Sequence, residues 1–295
     1  MSKKISTSFS SLSRPLLILG LLLAFFAVIK LFPSLRLREG LGVSYGEKIS
    51  LPTSQNIPAP DLSARHVFVL DQKSKTVLYQ KDADAQVFPA STTKMMTALV
   101  VLDKFSLDQT ITVTRSYPEG RTINLQPGEQ LSVEQLLYAM LVQSGNDAAE
   151  ILAENLPAGR QVFIDLMNKK AADLNLSHTH FANPTCLDET GHYSSATDLA
   201  RLADVAMSNS EFSRIVATEN AVVANHVLTN INELLGKIPG VLGVKTGFTD
   251  GAGQSLVTLV SRDSHPVILV VLGSTDRFGD SEKLINWIYT NFHWE

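Results

Sequence analysis

The apolar positions of this chain follow three rhythms, and each predicts a different kind of element. The first is unbroken: Pro15 to Phe32 is apolar except for Lys30. Its length lies between a signal-peptide core and a minimal membrane span. Pro33-Ser34-Leu35-Arg36-Leu37-Arg38 offers no A-x-A-like cleavage site. An uncleaved anchor is therefore expected, with secretion after cleavage as the alternative. Lys3, Lys4 and Arg14 precede the run and Lys30, Arg36 and Arg38 sit at or beyond its end, which favours an inside N-terminus only slightly. Glu39 to Ser63 is rich in Gly, Ser, Pro and small polar residues and reads as linker. The expected organisation is 1–14 cytoplasmic, 15–32 anchor, 33–63 linker and 64–295 a globular domain outside the membrane.

The second rhythm is that of strands. Arg65–Leu70 and Lys75–Gln80 flank the turn Asp71-Gln72-Lys73-Ser74. Gln109–Thr114 alternates, and Val241–Gly247 has an apolar lead-in. Ser255–Ser261 and Pro266–Gly273 are joined by the polar turn Arg262-Asp263-Ser264-His265. The third rhythm is helical. Val133–Val142 follows a capping box at Ser132 and Gln135, Gly159–Leu174 is amphipathic, Ser195 caps Ala196–Met207, and Asp280–Phe292 puts Leu284, Trp287 and Ile288 on one face. Thr93–Leu102 is apolar apart from Lys94, too continuous for a surface helix, so it is expected to be buried. Pro89 sits where that helix can begin.

Composition narrows the function. A chain of 295 residues, 44% hydrophobic, can bury a sizeable core. A net charge of -4 with no long basic run argues against nucleic acid as partner. Cys186 is the single cysteine, so there is no intrachain disulfide and no cysteine cluster for zinc. His178 and His180 lack nearby carboxylates or thiols and read as loop packing rather than metal ligands.

Three stretches carry candidate chemistry. Ser91 falls in the first turn of the buried helix, and Lys94, three residues on, shares its face. A serine hydroxyl needs a base to become a nucleophile, and a buried lysine with a lowered pKa can be that base. The plain alternative is a capping serine with a snorkelling lysine. Gln143-Ser144-Gly145-Asn146-Asp147 breaks one helix and starts another, which projects the Ser144 hydroxyl and the Asn146 amide from a rigid turn, or is turn chemistry alone. Val244-Lys245-Thr246-Gly247-Phe248 closes a strand with a fixed charge, a hydroxyl and a glycine that lets another chain approach its backbone.

Ser-x-x-Lys, then Ser-Gly-Asn, then Lys-Thr-Gly, in that order on helix, turn and strand, resembles the penicillin-binding and serine β-lactamase superfamily. Within it the chain is similar to the low-molecular-weight serine-type D-alanyl-D-alanine carboxypeptidases, from about Ala64 to the C-terminus. Pro-Ala-Ser-x-x-Lys, Ser-Gly-Asn-Asp-Ala-Ala, Asn-Pro-x-x-Leu with Gly-His-Tyr-Ser-Ser-Ala, and Gly-Val-Lys-Thr-Gly-x-Thr carry the likeness. The resemblance implies an α+β fold, an antiparallel sheet flanked by helices, with a mostly helical lobe inserted at about 88–238. It implies Ser91 as nucleophile, Lys94 as base and Ser144 as proton relay aided by Lys245. Asn146 would hold the peptide backbone, Thr246 and Gly247 would line the substrate groove, and the N–H groups of Ser91 and Phe248 would form an oxyanion hole. No metal or organic cofactor is implied. The expected partners are peptidoglycan stem peptides and, as covalent inhibitors, β-lactams.

The chain also departs from the family pattern. Phe248 stands where His often follows Lys-Thr-Gly, and Cys186 stands where Gly is common in the Asn-Pro-x-Gly-Leu loop. Arg277, after the last expected strand, is a candidate reader of the terminal carboxylate by two parallel hydrogen bonds, or a surface arginine paired with Asp276 or Asp280. The rivals are a DD-endopeptidase with the same residues, a class A β-lactamase and a non-catalytic wall-binding module. The β-lactamase needs a general-base Glu in a Glu-x-x-Leu-Asn-like loop between the second and third motifs, which is not found. The complete catalytic set argues against the binding module.

Overall fold

A computed structural model describes residues 49–295. Strands β2 (His66–Asp71) and β3 (Val77–Lys81) precede the first helix. Strands β8 (Val241–Thr249), β9 (Gly253–Arg262) and β10 (His265–Ser274) follow the last helix of the insertion. Together they form one antiparallel sheet in the order β3-β2-β10-β9-β8. The β9–β10 turn is tight because Asp263 and Ser264 both adopt positive φ, 49° and 64°, the backbone that keeps the right-handed twist of the strands.

Both faces of this sheet are covered, so its central strands are apolar on both sides rather than alternating. Val67, Val69, Leu256, Val260, Leu269 and Val271 pack with Leu284, Ile285 and Ile288 of the C-terminal helix, which runs Arg277–Asn291. Phe68, Leu70, Val257, Leu259, Ile268 and Val270 belong to the larger core built with the inserted helices. Those are α1 (Lys94–Lys104), α2 (Val133–Leu141), α3 (Asn146–Glu154), α4 (Gly159–Asp173), α5 (Ala196–Met207) and α6 (Ser210–Val216), which makes the C-terminal helix α7. Two small hairpins, β4 (Thr110–Thr112) with β5 (Gln130–Ser132) and β6 (Asn220–Val223) with β7 (His226–Thr229), lie within the insertion. Of these, α6, β5 and the β6–β7 hairpin were not expected from the sequence.

Every residue of α1 from Lys94 to Val101 is buried, which accounts for its unbroken apolar sequence. Ser132 caps α2 by accepting from the Gln135 N–H while Gln135 returns the bond to the Ser132 N–H, the anticipated capping box.

The expected anchor at 15–32 lies outside the described residues, as does the first part of the expected linker. Among the described residues no helix is long and apolar enough to cross a membrane. From Ile49 onward the expected linker corrects to a fastened segment. Strand β1 (Pro52–Ser54) pairs with β11 (Phe292–Trp294), Asn291 Oδ1 accepts from the Ile57 N–H at 2.8 Å, and Asp280 takes the Ser63 and Ala64 N–H groups. Side chains of α7 thus satisfy a backbone that has little regular structure of its own.

Candidate active site

The turn that carries Ser91 is a 3-10 helix, Ala90–Thr93, running directly into α1. Ala90 adopts φ +50°, a left-handed conformation that a non-glycine residue holds only where its surroundings enforce it. Two contacts do so. Thr93 Oγ1 donates to the Ala90 carbonyl at 2.8 Å and also contacts His192 Nε2 at 2.9 Å. His192 Nδ1 accepts the Ala182 N–H at 3.0 Å, so its proton sits on Nε2 and points at Thr93. Burial drives this imidazole's pKa down to about 4, which keeps it neutral.

Lys94 Nζ lies 3.0 Å from Ser91 Oγ and 2.6 Å from Asn146 Oδ1, fully enclosed. Burial lowers its pKa to about 8, with Asp147 and Glu150 opposing that fall. Lys245, on β8, places Nζ 2.9 Å from Ser144 Oγ and 3.0 Å from its neighbour's carbonyl, that of Thr246. Burial first, and the Lys94 charge second, hold Lys245 well below the ordinary lysine value. Two lysines in one dry site therefore share fewer protons near neutral pH than they would in water.

Ser144 reaches this position at φ +64°, at the end of the α2–α3 turn; Gly145 then caps α3. From there its hydroxyl meets Lys245 of the neighbouring strand. Asn146 is the first residue of α3, and both ends of its amide are engaged within the chain. Its oxygen accepts from Lys94 and, at 3.3 Å, from the Cys186 thiol, while its nitrogen donates to the Glu119 carbonyl at 3.0 Å. The expectation that Asn146 holds substrate is thus met by an amide already committed to the base and to the loop above it. Burial pushes the Cys186 thiol up, but the Lys94 charge and hydrogen bonding with Ser91 and Asn146 leave it below its ordinary value.

Strand β8 passes close to the Ser91 turn. A Cβ on Gly247 would lie 3.0 Å from Ala90 Cβ and 3.2 Å from the Ser91 nitrogen, so only glycine allows this approach without displacement. The Ser91 N–H, in the first turn of a helix, has no carbonyl one turn back to bond. It therefore faces the edge of β8 together with the backbone around Phe248. The Phe248 side chain is 58% exposed and forms part of the wall of the groove rather than of the core.

The cleft, about 480 Å³, is lined by Ser91, Ser144, Cys186, Thr246, Gly247 and Arg277 among others. Arg277 is the first residue of α7, placed there because Asp276 caps the helix through the Gly279 N–H. The sequence reading began this helix at Asp280 and left Arg277 in a loop. Its guanidinium donates to the Gly247 carbonyl at 2.9 Å and stacks 4.7 Å from the Phe278 ring centre, and pairs with neither Asp276 nor Asp280. The buried Nε of Arg277 and the Thr246 hydroxyl have no hydrogen-bond partner among the described residues. Both residues line the cleft, and donors left without partners there suit an anionic ligand group.

Asp147 is a contributor the sequence reading did not single out. Its carboxylate accepts the N–H groups of Ile123 and Leu125 at 3.1 Å and of Ala148 at 3.0 Å. It thereby ties the loop between β4 and β5 to the helix that carries Asn146. An acid in the first turn of a helix, next to a motif asparagine, was the available signal. His178 and His180 take no part in the site, and no cluster of metal-binding side chains occurs among the described residues.

Residues 53–276 match the family described as Peptidase_S11, D-alanyl-D-alanine carboxypeptidase. The chain is 32% identical over 244 residues to D-alanyl-D-alanine carboxypeptidase DacF of Bacillus subtilis, with 78% of this chain covered but only 63% of that longer relative. It is 34% identical to the D-alanyl-D-alanine endopeptidase of Pseudomonas aeruginosa, over 90% of this chain and 88% of the relative. The ampicillin-bound structure of penicillin-binding protein D2 from Listeria monocytogenes superposes with a TM-score of 0.72 at 32% identity, covering 79% of this chain and all of that one. With the three motifs assembled around one cleft and a family match over most of its length, the chain belongs to the serine-type D-alanyl-D-alanine carboxypeptidase family, Peptidase_S11.

Proposed function

We propose that this protein is a serine DD-carboxypeptidase that removes the terminal D-Ala from peptidoglycan stem pentapeptides. The observation that carries the reading is the Ser91–Lys94 pair, 3.0 Å apart, with the lysine lowered to about 8 by burial. Above that pH Lys94 is neutral and takes the Ser91 proton as Oγ attacks the penultimate D-Ala carbonyl. The Ser91 and Phe248 N–H groups stabilise the oxyanion, a contribution of about 10²–10³ in rate per donor. Ser144 gives its proton to the leaving amine and takes one back from Lys245. The D-Ala carboxylate sits against Arg277 and the Thr246 hydroxyl, whose unmet donors support that assignment. Water then hydrolyses the ester and frees Ser91. The same acyl chemistry supports β-lactams as covalent ligands, in keeping with the ampicillin-bound relative.

The Pseudomonas relative, a protein named D-alanyl-D-alanine endopeptidase, favours a second reading, DD-endopeptidase action on cross-links, which uses the same residues. Mass analysis of products from a pentapeptide and from a cross-linked dimer separates the two. Loss of one alanine from the pentapeptide supports the first, and cleavage of the dimer alone supports the second. Labelling by a fluorescent penicillin that depends on Ser91 tests the nucleophile under either reading.

The apolar run Pro15–Phe32 supports attachment to the cell membrane with the catalytic domain on the outer face. Protease shaving of intact cells that leaves the domain untouched counts against it.

A further inference from the structure

The loop between β4 and β5 passes over the cleft, and the site's own residues fix its backbone. The Asn146 N–H donates to the Arg121 carbonyl at 2.7 Å, and the Asn146 side chain donates to the carbonyl of Glu119. Gly120 between them lies so close to Asn146 that a Cβ would run into the amide nitrogen. Asp147 holds the loop from its other side through Ile123 and Leu125. Arg121 therefore stands on a backbone fixed to the second catalytic motif, while its side chain is exposed and forms no ion pair among the described residues.

The direction in which that side chain acts follows from its neighbours. The Arg121 charge contributes to lowering the proton affinity of Lys94, Lys245 and Arg277 alike. Arg121 is itself part of the cleft lining. Two arginines line this cleft, and neither forms an ion pair among the described residues. Of the two acids beside them, Asp188 is occupied by Thr249 Oγ1 at 2.8 Å and by the Gly251 N–H at 3.1 Å, and Asp250 is the other. Arg121, Arg277 and the two lysines outnumber these two acids, and a cleft with that balance favours an incoming anion. Arg277 belongs to the sheet side, bonded to Gly247, whereas Arg121 belongs to the helical side, bonded to Asn146.

We infer that Arg121 reads a second carboxylate of the substrate, carried on the acyl side of the scissile bond, so that donor peptides with an acidic group there are preferred to their amidated forms. This deepens the DD-carboxypeptidase reading and rests on it. The terminal D-Ala supplies one anion, for Arg277, and a carboxylate on the residue preceding the D-Ala pair supplies the other. The contact is a charge-assisted, two-donor interaction at a partly open mouth, so the selectivity it confers is moderate.

The test compares kcat/KM for two peptides ending in D-Ala-D-Ala that differ only in one group on the preceding residue, a side-chain carboxylate or its carboxamide. The full-length enzyme and its Arg121→Gln and Arg121→Glu variants are assayed, with penicillin labelling to confirm an assembled site. The wild type is expected to favour the carboxylate peptide by roughly five- to thirtyfold, the scale of a charge-assisted contact partly shielded from water. The ratio should fall to near one in Arg121→Gln and below one in Arg121→Glu. A wild type that treats both peptides equally overturns the inference, as does a preference that survives in Arg121→Gln. A loss shared by both peptides that disappears once the terminal carboxylate is amidated also overturns it, by moving Arg121 to the leaving alanine. Hydrolysis of neither peptide by the wild type overturns the carboxypeptidase reading and this inference with it, whereas equal hydrolysis leaves that reading standing.

Discussion

Lys245 and Ser144 are 101 positions apart in the chain, yet the ammonium nitrogen of one lies 2.9 Å from the hydroxyl oxygen of the other, both buried. This contact joins the edge strand of the sheet to the turn between two helices, so it exists only when both layers are correctly docked. Lys245→Ala removes a charge and leaves the Ser144 hydroxyl without its orienting donor. Acylation by penicillin should slow by about 10²–10³, the scale of one preorganised electrostatic donor. Ser144→Ala should cost a similar factor. Because the two act as a unit, the double variant should be little worse than the poorer single one. Stopped-flow acylation rates for the three variants check this, and additive losses would separate the two residues.

The pH dependence follows from Lys94. The proposed mechanism needs its free-base form, and burial lowers its pKa to about 8. Acylation should therefore rise nearly tenfold per pH unit below that value and level off above it. Second-order labelling rates between pH 6 and pH 9 measure the curve; a flat profile would place the base elsewhere. Lys94→Arg keeps the charge but cannot release its proton, so acylation should fall by roughly 10²–10⁴, the range of a lost general base.

Gly247→Ala probes the fit between β8 and the Ser91 turn. The new methyl meets Ala90 Cβ at 3.0 Å and the Ser91 nitrogen at 3.2 Å, and the strand must retreat by a few tenths of an ångström. One oxyanion donor then sits too far from its target, and acylation should slow by about 10²-fold. Thermal unfolding should move far less than activity, since the displaced strand is at the sheet edge. A variant that acylates normally would show that the backbone around Phe248 does not stabilise the oxyanion.

Arg277→Ala should raise the barrier for a D-Ala-D-Ala-terminated peptide by about 1.5–3 kcal/mol, the worth of a hydrogen bond to a charged group. For the same peptide with an amidated terminus the loss should be much smaller. Comparing kcat/KM for both peptides on both enzymes settles the role. Equal losses would make Arg277 a support for the Gly247 carbonyl rather than a reader of the carboxylate.

How much of this was legible in the sequence depends on the span of each interaction. The Ser132–Gln135 capping box and the Asp263-Ser264 turn were readable because every participant lies within four residues. The Ser-x-x-Lys, Ser-Gly-Asn and Lys-Thr-Gly stretches were readable as chemistry because few other roles require those groups in that order. The β1–β11 pair was not, since three residues on either side of a 237-residue separation leave no periodic signal. Arg277 was assigned to a loop because an Asp at 280 looked like the helix start, while the cap is Asp276. Asn146 was expected to reach outward; its inward bond to Lys94 depends on how α3 docks beside α1, and only tertiary packing sets that.

The pairing of β1 with β11 has a topological consequence. The Leu51 N–H meets the Glu295 carbonyl at 3.2 Å and the Glu295 N–H meets the Leu51 carbonyl at 3.3 Å, so the body spanning residues 49–295 is a nearly closed ring of chain. A short splice from Glu295 to Ile49, with new ends opened at the exposed Ala224-Asn225 tip of the β6–β7 hairpin, would leave Ser91, Ser144 and Lys245 on uninterrupted elements. A covalent link from Glu295 to Ile49 would then stand in for the one opened at a hairpin remote from Ser91.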